Sequence, residues 1–241
     1  MEQFFLGIAK EIHVPLGSNV AATAFIREGL NEILDHEKNK SISMHEYSDF
    51  IRLGSQSLGL LESNQKRITK VVKRFREVSA QHLGLQETSF SLADTLAETI
   101  ESQRWKIAGW RVNIDCPENI QLHRFRKAFS AILVQLVDNA LLHSKANVDQ
   151  DPIIWIQVEV DQAENVLIRF TDNGLGVKKE LMKNLCQPFY STQRGPDGHI
   201  GLGLYMIYNL VNRALNGRLL FPITGNGFCV QLIVPQKLHQ A

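Results

Sequence analysis

Asp172-Asn173-Gly174-Leu175-Gly176 and Gly201-Leu202-Gly203-Leu204 are the two stretches that decide the reading of this chain. Upstream lies Leu136-Val137-Asp138-Asn139-Ala140, inside a pattern of apolar residues at helical spacing. A carboxylate, a carboxamide and two glycine turns, in this order, can line one nucleotide pocket. The Asp172 carboxylate can accept a hydrogen bond from an exocyclic base amine. The Asn139 carboxamide oxygen is a hard ligand suited to Mg²⁺. Glycines allow backbone N–H groups to approach phosphate oxygens with no Cβ in the way. Taken alone, Asp172 reads as an ordinary Asp-Asn-Gly turn residue and Asn139 as a polar residue near a helix end. Together the three boxes are specific where a single glycine motif is weak.

At these residues the chain resembles the ATP-binding domain of sensor histidine kinases, in the superfamily shared with DNA gyrase, the ninety-kilodalton heat-shock chaperones and the mismatch-repair ATPases. Gln187-Pro188-Phe189-Tyr190-Ser191-Thr192 resembles the phenylalanine box that opens the kinases' ATP lid, and Gly227-Phe228-Cys229-Val230-Gln231-Leu232-Ile233-Val234-Pro235 resembles their closing strand. The resemblance covers about residues 88 to 235. It implies ATP and Mg²⁺ as ligands, with Asp172 on adenine and Asn139 on the metal. Gly174, Gly176, Gly201, Leu202 and Gly203 would give backbone contacts. His143, one turn after Asn139, would face the phosphates or the lid, and Thr192 and Arg194 would lie in the lid. Two positions depart from the family pattern. Gln135 stands where many members have a second asparagine, and Leu142 where many have lysine.

Composition bounds the remaining choices. The chain has 241 residues, 44% of them apolar, and a net charge of +1. That is enough to bury a core, and it disfavours nucleic acid as a main partner. Cys116, Cys186 and Cys229 lie far apart without metal-ligand spacing, and read as reduced thiols of a cytoplasmic protein. No apolar run reaches membrane-spanning length, and Lys10, Glu11 and His13 break any signal-peptide pattern at the start. A membrane connection would come only through a sensor region outside this chain.

The expected fold is α+β. Residues 1–84 are read as a helical hairpin that becomes a four-helix bundle on dimerisation, and residues 85–241 as an α/β two-layer sandwich with a mixed sheet. The first helix, 1 to about 37, carries the stripe Phe5, Ile8, Ile12, Leu16, Val20, Thr23, Ile26, Leu30 and Ile33, with Pro15 inside it. The second, about 45 to 82, carries Phe50, Leu53, Leu60, Leu61, Ile68, Val71, Phe75 and Val78, with Asn64 as a polar position that can fix register. One hairpin cannot hide both stripes, which predicts a homodimer. Further on, a linker is expected over 83–90 and helices over 91–107, 122–144 and 202–215. Strands are expected over 111–115, 153–160, 166–171, 218–223 and 228–234.

The first helix also holds Ala9-Lys10-Glu11-Ile12-His13-Val14-Pro15-Leu16-Gly17, which resembles the family's phosphoacceptor box. Aligned on Glu11 and Pro15-Leu16, Lys10 occupies the acceptor histidine's place and Val14 that of the residue used in dephosphorylation. A solvated ammonium has no lone pair with which to attack a phosphoryl group. Glu11, the usual base, is present. His13 is the alternative acceptor, but it stands about 60° round the helix and about 4.5 Å along it from Lys10; its plainer reading is a surface or interface histidine. Three functions follow. One is a histidine kinase core acting on a response-regulator receiver domain. Another is an ATP-binding pseudokinase scaffold acting by partner contact. The third, an ATPase of the chaperone or topoisomerase branch, needs a glutamate on the Asn139 helix that this sequence does not supply.

Overall fold

The computed structural model describes residues 2–39, 43–80, 86–143, 151–191, 200–223 and 227–236. The chain divides into two compact units, with the break between Val78 and Ser79.

The first unit is built on two helices of equal length, α1 (Glu2–Lys38) and α2 (Met44–Ala80). α2 opens with a capping box. The Ser43 hydroxyl accepts from the Glu46 amide at 3.2 Å, and the Glu46 carboxylate accepts from the Ser43 amide at 3.0 Å. α1 runs through Pro15, which is buried. Phe4, Ala22 and Val71 are buried in the seam, and Phe4 stacks on Phe75 at 6.1 Å. Among the described residues, polar contacts cross the hairpin. Asn64 Nδ2 donates to Asn19 Oδ1 at 2.9 Å, and the Arg67 guanidinium donates to Glu11 Oε2 at 2.7 Å. The expected stripes need a correction. Phe5, Leu16, Val20 and Leu30 on α1 and Leu60 on α2 are exposed in the chain. Single-helix periodicity marks every apolar position alike, whereas one partner helix covers only the residues pointing at it.

The first strand of the second unit lies where a linker was expected. β1 (Thr88–Ser91) pairs antiparallel with β3 (Gln121–Arg124) in a small ribbon. Between them lie α3 (Leu92–Ser102) and β2 (Arg111–Asp115). Ser91 caps α3 by accepting from the Asp94 amide at 3.2 Å. α3 ends at Ser102, short of the expected 107, because the chain then turns through 3-residue backbone bonds at Gln103, Arg104 and Lys106 and reaches Gly109 with φ +84°. Residues 122–124, expected to be helical, belong to β3. Leu122 and Arg124 point inward and Gln121 and His123 outward. Arg124 is fully buried, and its Nη2 donates to the Pro235 carbonyl at 2.6 Å. Burial pulls the pKa of this guanidinium below the ordinary arginine value.

α4 (Arg126–His143) leads to β4 (Ile153–Val160) and β5 (Asn165–Asp172), an antiparallel pair. A 3₁₀ helix at Lys179–Asn184, absent from the sequence reading, precedes α5 (Gly203–Asn209), which continues as a π turn over Leu210–Ala214. β6 (Arg218–Leu220) and β7 (Cys229–Pro235) close a five-stranded sheet of order β2-β4-β5-β7-β6, in which only β2 and β4 run parallel. Alternate residues Ile154, Ile156 and Val158 of β4 face the core, together with Val166, Ile168 and Phe170 of β5 and Val230, Leu232 and Val234 of β7. They meet Leu96 of α3, Leu133, Leu136 and Val137 of α4, and Ile207 and Val211. This is the expected mixed-sheet α+β sandwich.

Candidate nucleotide site

Asp172 is the last residue of β5 and is 3% exposed. Its backbone N–H donates to the Phe228 carbonyl at 3.1 Å, and its Oδ1 accepts from the Gly174 amide at 2.8 Å and from the Phe228 amide at 3.4 Å. The carboxylate is therefore fixed by the turn that follows it. Asn173 has a different duty. Its Oδ1 accepts from the Ile153 amide and its Nδ2 donates to the Asp151 carbonyl, each at 2.9 Å, tying the end of β5 to the start of β4.

Glycine packing sets the shape of this floor. At Gly227, φ is +76° and a Cβ would stand 1.7 Å from the Asp172 carbonyl oxygen. At Gly176, φ is +68° and a Cβ would stand 2.5 Å from the Gly227 carbonyl oxygen. Three backbone segments thus touch where any side chain would separate them. Gly176 was expected from the sequence. Gly227 falls at the start of the closing-strand stretch, and it meets Asp172 across 54 intervening residues that no local pattern connects. Gly174 is buried within the same turn.

Asn139 comes from α4. Its Nδ2 is buried with no hydrogen-bond partner. A Cβ placed on Gly203 would lie 3.1 Å from Asn139 Oδ1 and 3.4 Å from Oε1 of the buried Gln135. Residues 135 and 139 share one helix face, so both carboxamides converge on the start of α5. Leu202, beside them, is 2% exposed. Gly201, with φ +73°, packs so closely on the backbone of Phe189 and Tyr190 that a Cβ would lie 2.5 Å from the Tyr190 carbonyl oxygen. Phe189 itself has φ +63°. His143 and Leu142 are half-buried at the end of α4. Thr192 and Arg194 lie outside the described residues.

These groups fit a magnesium nucleotide. A buried amide N–H without an acceptor costs roughly 1–3 kcal/mol, which a ligand oxygen would relieve. Carboxamide oxygens suit Mg²⁺, and Mg²⁺ is commonly completed by phosphates and waters instead of a protein cage. Among the described residues, no group of three or more His, Cys, Asp or Glu side chains could hold a metal.

In the hairpin, Lys10, His13 and Val14 are exposed, while Glu11 is half-buried and bound to Arg67. All three cysteines are free thiols. Burial pushes Cys116, beside Asp115, and Cys186 up to about 11. No described helix is long and apolar enough to cross a membrane.

Residues 126–238 match the family described as histidine kinase-, DNA gyrase B-, and HSP90-like ATPase. The signal transduction histidine-protein kinase AfsQ2 of Streptomyces coelicolor is 23% identical over 219 residues, a match spanning 89% of this chain and 38% of that protein. The sensor histidine kinase DpiB of Escherichia coli is 32% identical over 85 residues, 35% of this chain and 15% of that protein. The chain thus spans well under half the length of these curated relatives. Among solved structures, the catalytic domain of the histidine kinase ThkA aligns with 63% of this chain and 96% of its own, at a TM-score of 0.55 and 21% identity. ThkA in complex with the response regulator TrrA aligns with all of this chain and 69% of its own, at a TM-score of 0.58 and 14% identity. Residues 126–238 thus carry a histidine kinase-, DNA gyrase B-, and HSP90-like ATPase domain, and the relatives that the chain resembles over most of its length are named histidine kinases.

Proposed function

We propose that the second unit binds ATP with Mg²⁺ and that the chain serves two-component signalling in the cytoplasm, dimerising through its hairpin and working with a response-regulator receiver domain. The observation that carries the nucleotide reading is the convergence of two carboxamides, Gln135 and Asn139, on Gly203, with one Asn139 amide group buried and unpartnered. Asp172, held by the Gly174 amide, accepts from the adenine amine. Gly174 and Gly176 turn beneath the base. Asn139 Oδ1 would hold the metal, His143 would face the phosphates, and the amides of Gly201, Leu202 and Gly203 would approach them. Thr192 and Arg194 belong to the segment that closes over the nucleotide. Mg²⁺ held at Asn139 would supply positive charge against that developing on the transferred group.

The hairpin's part of the chemistry differs from the family pattern. Lys10 stands where the acceptor histidine is expected, and an ammonium has no lone pair with which to take a phosphoryl group. Glu11 is engaged with Arg67, and Val14 cannot orient a water. The autokinase step therefore does not run through Lys10 in this chain. Exposed Phe5, Leu16, Val20, Leu30 and Leu34 on α1 and Met44, Tyr47, Ile51 and Leu58 on α2 support a second hairpin as the partner. Domain limits of 1–84 and 85–241 follow the same reading.

The test is titration of the intact chain with a fluorescent ATP analogue. Saturable binding that strengthens with Mg²⁺ and is displaced by ATP is expected; the absence of displaceable binding would overturn the reading. Lys10 is also the observation that favours the second reading, an ATP-binding scaffold. Transfer of label from γ-labelled ATP to a receiver domain would exclude that scaffold.

A further inference from the structure

We propose that Lys106 is a positioning residue for the nucleotide site: its ammonium offsets charge on Asp138, so that the stretch of α4 carrying Asn139 repels the phosphates less. The role rests on the nucleotide reading above.

Lys106 Nζ lies 2.9 Å from Asp138 Oδ1, and the two side chains are 27% and 21% exposed. A pair this sheltered is screened much less than a surface pair. The turn after α3 presents Lys106. Its backbone amide donates to the Gln103 carbonyl at 2.8 Å, and its Nζ stands 5.6 Å from the centre of the Trp105 ring. Asp138 neighbours Asn139 on α4, about 100° round the helix from it. Asp138 therefore lies off the face that Gln135 and Asn139 share, towards Lys106. If the phosphates meet Asn139, a charge one residue away acts on them electrostatically without direct contact. The groups converging on Gly203 are neutral carboxamides. Without Lys106, the negative charge one residue from Asn139 would weigh more heavily against a polyphosphate. Bound Mg²⁺, by cancelling phosphate charge, would reduce that repulsion.

This gives a sign pattern that a plain structural brace does not share. ADP affinity is measured by calorimetry on the full chain, with EDTA and then with Mg²⁺. Lys106→Met weakens Mg²⁺-free ADP binding by about three- to tenfold, Asp138→Asn tightens it by a similar factor, and the double variant returns close to the unaltered chain. Both single effects shrink with Mg²⁺, and Lys106→Arg keeps the unaltered affinity. Thermal melts show whether each variant is folded. If Asp138→Asn also weakens binding, or if the two variants act equally with and without Mg²⁺, the pair is a brace and the proposal is overturned. If the unaltered chain binds no ADP under either condition, the nucleotide reading itself fails and takes this role with it.

Discussion

Asp172→Asn separates recognition from folding. In the unaltered chain, Oδ1 accepts from the Gly174 amide at 2.8 Å and, more weakly, from the Phe228 amide at 3.4 Å. An asparagine has the same shape, and its carbonyl oxygen can stand in the Oδ1 position and keep both bonds. Its amide nitrogen then replaces the other carboxylate oxygen, so a donor faces the adenine amine where an acceptor stood. In a site that is 3% exposed, a ligand amine left without its acceptor costs roughly 1–3 kcal/mol, or about a 5- to 150-fold rise in Kd. Isothermal titration with Mg·ATP measures that rise directly. The expected thermal midpoint of the free protein moves little, because the turn bonds survive. Asp172→Ala is the contrasting variant. It strips the buried Gly174 amide of its acceptor and so lowers stability as well as affinity. Equal Mg·ATP affinity for the Asn variant and the unaltered chain would refute the adenine contact. A large loss of thermal stability in Asp172→Asn would refute the claim that the two roles separate.

The remaining expectations concern the hairpin and the thiols. Lys10→His gives acid-labile labelling from γ-labelled ATP, and the label passes to a receiver domain, while the unaltered chain stays unlabelled; robust labelling of the unaltered chain that His13→Ala abolishes would make His13 the acceptor. Light scattering gives a dimer for the unaltered chain at micromolar concentration and a monomer for Leu16→Glu/Leu30→Glu, since both leucines are about half exposed in the single chain; an unchanged mass would move the interface elsewhere. Cys116 and Cys186, with pKa values pushed up to about 11, are thiolate to only about one part in a thousand at pH 8. Their alkylation is therefore slow at pH 8, rises as the pH approaches 11, and is fast at pH 8 once the chain is unfolded; fast labelling of the folded chain at pH 8 would contradict the burial effect.

Where the sequence could be read, the deciding signals were local. The long hairpin helices show apolar residues at helical spacing, the cap at Ser91 is a short-range pattern, and β4 and β5 alternate cleanly around a turn in which Asp161 accepts from the Ala163 and Asn165 amides at 2.8 Å. The misreadings fall where a distant partner sets the conformation. β3 does alternate, but one of its two inward residues is Arg124, and a buried arginine does not register as a core residue in any apolar pattern. β1 is four residues of Thr-Ser-Phe-Ser whose strand character comes from pairing with β3, not from composition. The site divides in the same way. As candidates, Asp172, Gly174, Gly176 and Asn139 stand out in the sequence because their chemistry is packed into short boxes. Gly227, pressed on Asp172 across the sheet, and Lys106, bonded to Asp138 from 32 residues away, are not. Their roles exist only once β7 lies beside β5 and the turn after α3 lies beside α4. Lys10 is the opposite case. Its meaning comes from the sequence box, and the fold adds only that it is exposed next to a Glu11 already bound to Arg67. If Lys10→His restores labelling, Glu11 must leave Arg67 to act as a base, and Arg67→Met in that background should raise the rate. A lower rate would mean instead that Arg67 holds Glu11 in its working position.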